Sequence, residues 1–296
     1  MKEKPFSKYQ ILANAVMIIW TLAIILPFIL LFMSSITDEN TLVANGYSFF
    51  PKKFSLASYS YIIKSGGQIL KAYGVSIGVT VFGTLLNVLL SALMAYPLSV
   101  KNLPGRNVMM FFVFFTMLFN GGIVPSYIMW TGTFHIKDTI FAQLLPNFLL
   151  SAWNVMMIRT YFTTSIPDGL YEAAEIDGAS QFTIFWKIVL PLGKPILVTM
   201  GTFAGLAYWN DWTNGLYYIV KNTGLYNVQN LLNQMVQNIQ FLTQSSNSNV
   251  TAAASTIPAT GIQMAIAFVA ILPIMLIFPS FQKYYAKGIA LGAVKG

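Results

Sequence analysis

Residues 172–178 read Glu172-Ala173-Ala174-Glu175-Ile176-Asp177-Gly178, and after nine further residues the chain continues Ile188-Val189-Leu190-Pro191. Together with Asp168, this stretch holds four of the nine acidic residues of the chain within ten positions. Long apolar runs flank it on both sides. A short acidic segment in that position predicts a water-exposed loop of a membrane protein.

The composition excludes several classes of protein. Of the 296 residues, 56% are hydrophobic and only 9% are charged, whereas a soluble domain has about 25% charged residues. The net charge of +8 is spread over the loops and forms no basic face, so nucleic-acid binding is not indicated. Because cysteine is absent, there is no disulfide, thiol nucleophile or Cys-based metal site. We therefore predict an all-α, multi-pass membrane protein.

Six apolar runs are each long enough for a transmembrane helix of about 20 residues: residues 11–33, 73–96, 108–130, 140–158, 195–220 and 257–281. The first run is too long for a signal-peptide core, and no cleavage site follows it, so we expect a retained first transmembrane helix. Asn120-Gly121-Gly122 interrupts the third run and prolines interrupt several others. Such breaks predict helices that pack around a path or cavity.

The orientation follows from the lysines and arginines outside the spans. Eleven fall on the side of the N-terminus: Lys2, Lys4, Lys8, Lys101, Arg106, Arg159, Lys187, Lys194, Lys283, Lys287 and Lys295. Six fall on the other side: Lys52, Lys53, Lys64, Lys71, Lys137 and Lys221. This excess predicts that both termini and the acidic stretch are cytoplasmic. We accordingly divide the chain into three regions. Residues 1–72 hold the N-terminal tail, the first transmembrane helix and an extracytoplasmic segment, residues 73–281 form the transmembrane domain with a cytoplasmic loop at 161–194, and residues 282–296 form a cytoplasmic C-terminal tail.

The loop at residues 161–194, called the acidic loop below, carries helix-end signals. Ser165 is the expected cap of a first helix, with Pro167 in its first turn, and Gly178 is the expected left-handed residue after its end. Ser180 is the expected cap of a second piece that Pro191 ends. That piece would carry three aromatic residues on one face: Phe182, Phe185 and Trp186. An ordinary solvated connector is the simpler alternative, but it explains the paired alanines and the distant Leu-Pro less well.

The spacing Glu-Ala-Ala, three residues, Gly, nine residues, Ile-x-Leu-Pro resembles the coupling motif of permease subunits of ABC importers. The resemblance implies the type I importer permease fold and two short helices that sit in a groove of the ATP-hydrolysing subunit. It assigns eight residues to this ATPase coupling: Glu172, Ala173, Ala174, Asp177, Gly178, Ile188, Leu190 and Pro191.

Four further segments resemble the carbohydrate and oligosaccharide branch of this family, and the resemblance extends over nearly the whole chain. They are residues 119–125, 157–162 and 209–212 and the tail 287–296. The resemblance implies a bacterial cytoplasmic-membrane permease that pairs with a second homologous permease, two ATPase subunits and an extracytoplasmic, lipid-anchored binding protein, and imports oligosaccharides by alternating access. No Gly-x-x-x-x-Gly-Lys-[Ser/Thr] phosphate loop occurs, so we expect no cofactor in this chain, and ATP and Mg²⁺ in the partner.

Asp211 is the only acidic residue inside a predicted span, where a carboxylate is costly and should face the bundle interior or a wet path. Its aromatic neighbours could lie against sugar rings, and the helix break at Asn120 could expose backbone to cargo. The candidates for the cargo path are therefore Asn120, Tyr208, Trp209, Asn210, Asp211 and Trp212. Structural packing or a place at the membrane interface is the alternative for each.

Three rival functions differ in what they require. A permease of the same architecture for a non-sugar solute fits the same motifs. An ion-coupled secondary carrier would have more spans, internal repeats and buried coupling charges. A membrane enzyme would need a catalytic or metal constellation, and the single histidine, His135, has no neighbouring ligand set in the sequence. We expect no catalytic or metal site.

Overall fold

A computed structural model describes residues 8–64, 66–244 and 259–293. In these residues the chain is helical apart from loops and one isolated antiparallel bridge, Thr37 to Phe54. The first seven helices are α1 Lys8–Ser35, α2 Glu39–Asn45, α3 Ala57–Lys64, α4 Gly66–Ser99, α5 Arg106–Leu118, α6 Ile123–Ile128 and α7 Phe141–Leu144. The others are α8 Ala152–Ser165, α9 Asp168–Ile176, α10 Gln181–Ile184, α11 Leu190–Leu192, α12 Lys194–Asn210, α13 Thr213–Tyr218, α14 Val228–Gln244 and α15 Ala259–Ala293.

Short turns of other helix types join some of these elements. Met129–Thr133 and Phe185–Val189 are π-helical, and Thr223–Leu225 is a 3₁₀ turn. The π-helical turns continue α6 and α10 without a gap. Wider turns of this kind are frequent at functional sites.

Three helices of the described part are long and apolar enough to cross a membrane: Lys8–Ser35, Gly66–Ser99 and Thr260–Ile277 within α15. Two bent pairs raise that number to five if each is one span. Arg106–Leu118 and Ile123–Thr133 meet at 109°, and Gln181–Leu192 and Lys194–Asn210 meet at 78°. The predicted break at residues 120–122 is therefore confirmed, because Gly122 has a left-handed φ of +85° there.

The prediction of a continuous helix over residues 140–158 is wrong. α7 has only four residues, and a non-helical segment separates it from α8. Pro146 lacks an N–H, and Asn147 has a φ of +67°, so neither can continue a helix. The fifth predicted run is also divided, because α12 ends at Asn210 and α13 starts at Thr213.

The chain forms two compact units. The first comprises Met1–Ile69 and Leu232–Pro273. In it, the Glu39 carboxylate accepts hydrogen bonds from the backbone N–H groups of Thr260 (2.9 Å) and Gly261 (2.8 Å). These N–H groups belong to the first turn of α15 and have no partner within the helix. The carboxylate therefore caps the positive end of the last helix.

A small apolar cluster holds the same unit together. Ile62 of α3 packs against one face of α15, formed by Ile262, Ala265 and Ile266. α1 carries almost no buried side chain, although it is apolar on all sides. Such a helix suits a lipid environment.

The second unit comprises Leu70–Leu231 and Ile274–Gly296. In it, α4 and α12 approach closely through small residues. A Cβ on Gly83 would lie 2.4 Å from the Tyr208 ring, and a Cβ on Gly205 would lie 3.3 Å from the Thr84 hydroxyl. Small residues permit this close approach of helices in membranes.

Candidate functional site

The acidic loop begins as α8 ends and folds into two short helical pieces. α9 stops at a tight corner where Gly178 has a φ of +75°. There the N–H of Ala179 donates to Ala174 O (2.9 Å) and that of Gly178 to Glu175 O (3.0 Å). The prediction of a left-handed glycine after the first helix is confirmed.

The predicted helix ends have mixed outcomes. Ser180 caps α10, since its hydroxyl accepts a hydrogen bond from the N–H of Thr183 (3.2 Å). Ser165 does not cap α9, because it is the last residue of α8, and Pro167 occupies the cap position. Pro191 lies next to the end of the second piece, which runs over Gln181–Leu192 and is followed by the 78° bend into Lys194–Asn210. The predicted end of this piece is therefore confirmed to within one residue.

One side of the acidic loop packs into the core of its own unit. Ala174, Ile184, Phe185 and Val189 are buried there with Phe162 of α8. Ile188 and Leu190 are partly buried against the same cluster. Three of the eight residues assigned by resemblance to coupling thus contact this chain's own core: Ala174, Ile188 and Leu190. The prediction that Phe182, Phe185 and Trp186 share one face is wrong, because Phe185 is buried whereas the other two are exposed.

The other side of the acidic loop is exposed and partly apolar. Ile176 is 85% exposed, Phe182 67% and Trp186 44%. Five residues of the coupling motif are also exposed: Glu172, Ala173, Asp177, Gly178 and, farther along the chain, Pro191. The loop therefore presents large apolar side chains and carboxylates together.

Asp211 lies at the corner between α12 and α13 and is buried. Its Oδ1 accepts hydrogen bonds from the backbone N–H groups of Thr213 (2.9 Å) and Asn214 (3.2 Å), which start α13. Its Oδ2 is buried and has no hydrogen-bond partner in the described structure. The carboxylate therefore caps a helix inside the protein.

The other residues of this predicted cargo site are divided between interior and surface. Tyr208 is buried, and its hydroxyl donates to Leu144 O (2.9 Å). Trp209 is buried near Tyr73, with ring centroids 6.4 Å apart. Asn210 and Trp212 are exposed.

A buried network of amide side chains surrounds Asp211, and the sequence patterns did not reveal it. Asn227 Nδ2 donates to Asp211 O (2.6 Å) and to Gln143 Oε1 (3.3 Å). Gln143 Nε2 in turn donates to Asn230 Oδ1 (3.3 Å), and Asn214 Nδ2 donates to a backbone carbonyl of the α7–α8 segment. A buried amide is stable only when it is hydrogen-bonded, so these pairs fix how the non-helical segments pack.

Asn120 occupies the break between α5 and α6. Its Oδ1 accepts a hydrogen bond from the N–H of Gly122 (2.8 Å), and the surrounding residues are exposed. The exposed backbone at this bend needs protein or water as its neighbour if it lies at membrane depth.

A second carboxylate organises the loops near His135, which is itself exposed. Asp138 Oδ1 accepts three backbone hydrogen bonds, from Val220 (2.7 Å), Lys221 (2.7 Å) and Asn222 (3.2 Å). The pKa of the Asp138 carboxyl is lowered, chiefly by the hydrogen bond from the Lys221 N–H. The other two backbone hydrogen bonds and the charge of Lys137 lower the pKa further, whereas loss of solvation raises it. Asp138 thus joins the segment before α7 to the one after α13.

Comparison with known proteins gives a consistent assignment. Residues 6–291 match the family model described as "Binding-protein-dependent transport system inner membrane component". The chain is 36% identical over 288 residues to the polygalacturonan/rhamnogalacturonan transport system permease protein YtcP of Bacillus subtilis (strain 168), covering 97% of this chain and 98% of the relative. It is also 36% identical over 272 residues to protein LplC of the same organism, covering 92% and 90%.

A solved structure agrees along nearly the full length. It is described as a bacterial ABC transporter involved in the import of the acidic polysaccharide alginate. The TM-score is 0.79 at 26% sequence identity, over 96% of this chain and 100% of the other. Members of this family are membrane permease subunits of ABC transporters and not enzymes in themselves. Because the family model matches nearly the whole chain and the fold agrees, the chain belongs to the family of binding-protein-dependent transport system inner membrane components.

Proposed function

We propose that this chain is the permease subunit of an ATP-driven importer that moves oligosaccharides into the bacterial cytoplasm by alternating access. The names of the relatives support this class of cargo, because YtcP and the transporter of solved structure are both named for the transport of polysaccharides. A permease for a non-sugar solute would share the same fold, so the cargo is tested separately below.

The observation that carries the proposal is the exposed side of the acidic loop. Ile176, Phe182 and Trp186 are exposed on two helical pieces, Asp168–Ile176 and Gln181–Leu192, each of which is by itself too short to cross a membrane. An apolar patch bordered by carboxylates is typical of a protein-docking surface. In this proposal, Glu172 and Asp177 face basic groups of an ATPase that binds ATP and Mg²⁺. Gly178 makes the sharp corner that presents them.

The rest of the assembly follows from the same reasoning. The excess of lysine and arginine supports cytoplasmic termini. The six apolar runs of the sequence support six crossings, the fourth of them without a continuous helix, with the transmembrane domain at 73–281, a cytoplasmic tail at 282–296 and an extracytoplasmic segment before residue 73. The importer would contain a second, homologous permease and two ATPase subunits. A lipid-anchored binding protein would deliver the glycan from outside the cytoplasmic membrane.

Uptake measurements in the native bacterium test both parts of the proposal. Deleting this chain should abolish the uptake of at least one labelled oligosaccharide from a panel, and the wild-type gene should restore it. Glu172→Lys should insert into the membrane but fail to restore uptake, whereas Lys52→Glu, a charge reversal on the predicted outer side, should restore it.

Each failure has its own meaning. Unchanged glycan uptake in the deletion strain, with loss of uptake of a non-sugar solute, would overturn the cargo class. Full uptake with Glu172→Lys would overturn the docking role of the acidic loop.

A further inference from the structure

One hydrogen-bonded chain links the acidic loop to the longest apolar helix of the second unit. The hydroxyl of Tyr96, near the end of α4, donates to Gln181 Oε1 at 2.6 Å. Gln181 Nε2 in turn donates to Glu175 Oε1 at 2.8 Å. The amide therefore accepts from α4 and donates to α9 while it belongs to α10. This arrangement, called the Tyr96 latch below, joins three elements through three side chains.

The ring of Tyr96 makes a second connection to both pieces of the loop. It stacks on Tyr171 of α9, with centroids 6.5 Å apart and an interplanar angle of 25°. It also lies against Phe185, which follows α10, with centroids 5.4 Å apart. Tyr96 is buried at this position. A displacement of either piece of the loop must therefore move α4 or separate these contacts.

The polar contacts between α4 and the loop differ in strength. The ion pair of Lys101, two residues after the end of α4, with Asp168 of α9 is more than half exposed on both sides, so its contribution is small. The bond that Gln181 Nε2 donates to Glu175 lies within the loop, is also exposed and mainly orients the amide. The bond from Tyr96 to Gln181 is partly buried and includes a buried side chain, so it is the strongest of the three polar links.

α4 continues this connection into the interior. Gly83 of α4 lies directly on the ring of Tyr208, and Thr84 and Val88 contact the glycines of α12. The hydroxyl of Tyr208 donates to Leu144 O at the end of α7, next to the segment whose Pro146 carbonyl bonds to the buried amide network. A movement of α4 would thus act on packed contacts that have little room to yield.

We infer that Tyr96 is a positioning residue that transmits displacement of the acidic loop to α4 through the Tyr96 latch. This inference rests on the proposed function, since the displacement comes from an ATPase bound to the loop. When the loop moves, the latch makes α4 move with it. Without the latch, the loop moves and α4 lags behind, so ATP is hydrolysed with less transport.

The test uses the complete importer in proteoliposomes and measures the glycan transported per ATP hydrolysed. Tyr96→Phe keeps the ring and removes the hydroxyl, and Gln181→Leu removes the other half of the bond. Each should lower this ratio by roughly two- to tenfold, the range expected from one net hydrogen bond, while ATPase binding is retained. The matched control is Tyr217→Phe, because Tyr217 is exposed and lies on α13, outside the latch.

The double variant separates transmission from general damage. Tyr96→Phe with Gln181→Leu should lower the ratio no further than Gln181→Leu alone, because Gln181→Leu already removes the bond to Tyr96 together with the bond to Glu175. A purely structural role would lower the yield or thermal stability and leave the transport-to-ATP ratio of the assembled importer unchanged, which would overturn the inference. If no ATPase binds even the wild-type chain, the proposed function fails instead.

Discussion

Gly83→Ala tests the close packing between α4 and α12. The added Cβ would lie 2.4–2.7 Å from three atoms of the Tyr208 ring. Carbon atoms pack at about 3.5–4.0 Å, so the ring would have to move by about 1 Å. It has little freedom to move, because its hydroxyl bonds to Leu144 O and its ring packs against that of Phe148, with centroids 5.4 Å apart.

The magnitude follows from two opposing effects. Overpacking a buried site costs about 1–3 kcal/mol, and a strained or lost buried hydrogen bond adds about 1 kcal/mol or more. Replacing a mid-helix glycine by alanine returns about 1 kcal/mol. We therefore expect a net loss of about 1–3 kcal/mol for Gly83→Ala.

The matched control lies on the same helix. A Cβ on Gly78 meets nothing within 4 Å, so Gly78→Ala should stabilise α4 by about 0.5–1 kcal/mol. Thermal unfolding of the detergent-purified chain compares the two variants, and Gly83→Ala should unfold at a temperature lower by on the order of 5 °C. Equal unfolding temperatures would refute the packing of Tyr208 on Gly83.

Three further changes test individual contacts. Glu39→Ala removes the carboxylate that caps α15 and should cost about 0.5–2 kcal/mol; hydrogen exchange at Gly261 should accelerate, and unchanged exchange would argue against the cap. Ser180→Ala should destabilise the start of α10 by about 1 kcal/mol, seen as faster exchange at Thr183, with Thr21→Ala as a distant control. The lowered pKa of Asp138 means that its stabilisation is present above the unfolded-state pKa of about 3.9 and is lost as the pH falls through the lower folded-state pKa. The difference in thermal stability between wild type and Asp138→Asn should therefore shrink on acidification, and a difference that grows would contradict the sign.

Local patterns predicted the features that depend on neighbouring residues. The apolar runs located α1 and α4, the Asn-Gly-Gly sequence located the bend before α6, and Gly178 located the corner of the acidic loop. Each of these depends on hydropathy or on the backbone freedom of one residue.

Features that depend on distant residues could not be predicted in this way. Gln143 and Asn227 bond to each other although they are 84 positions apart, and neither residue stands out in its own segment. Residues 140–158 are apolar enough for a helix, but the carbonyls of Pro146 and Phe148 accept hydrogen bonds from the distant side chains of Asn214 and Asn87. Tertiary contacts therefore determine the local structure there. The burial of Ala174 and Phe185 could not be predicted either, because the sequence pattern gives the spacing of residues along the chain and not which side chains point toward the core.

The docking of the acidic loop on an ATPase subunit is the central claim, and site-specific crosslinking tests it most directly. The chain contains no cysteine, so Glu172→Cys and Asp177→Cys each introduce a unique thiol on the exposed side of the loop. In native membranes, a short thiol-to-amine crosslinker should join both variants to the ATPase subunit, and Lys52→Cys should give no such product. ATPase crosslinks that form from Lys52→Cys and not from either loop position would contradict the claim.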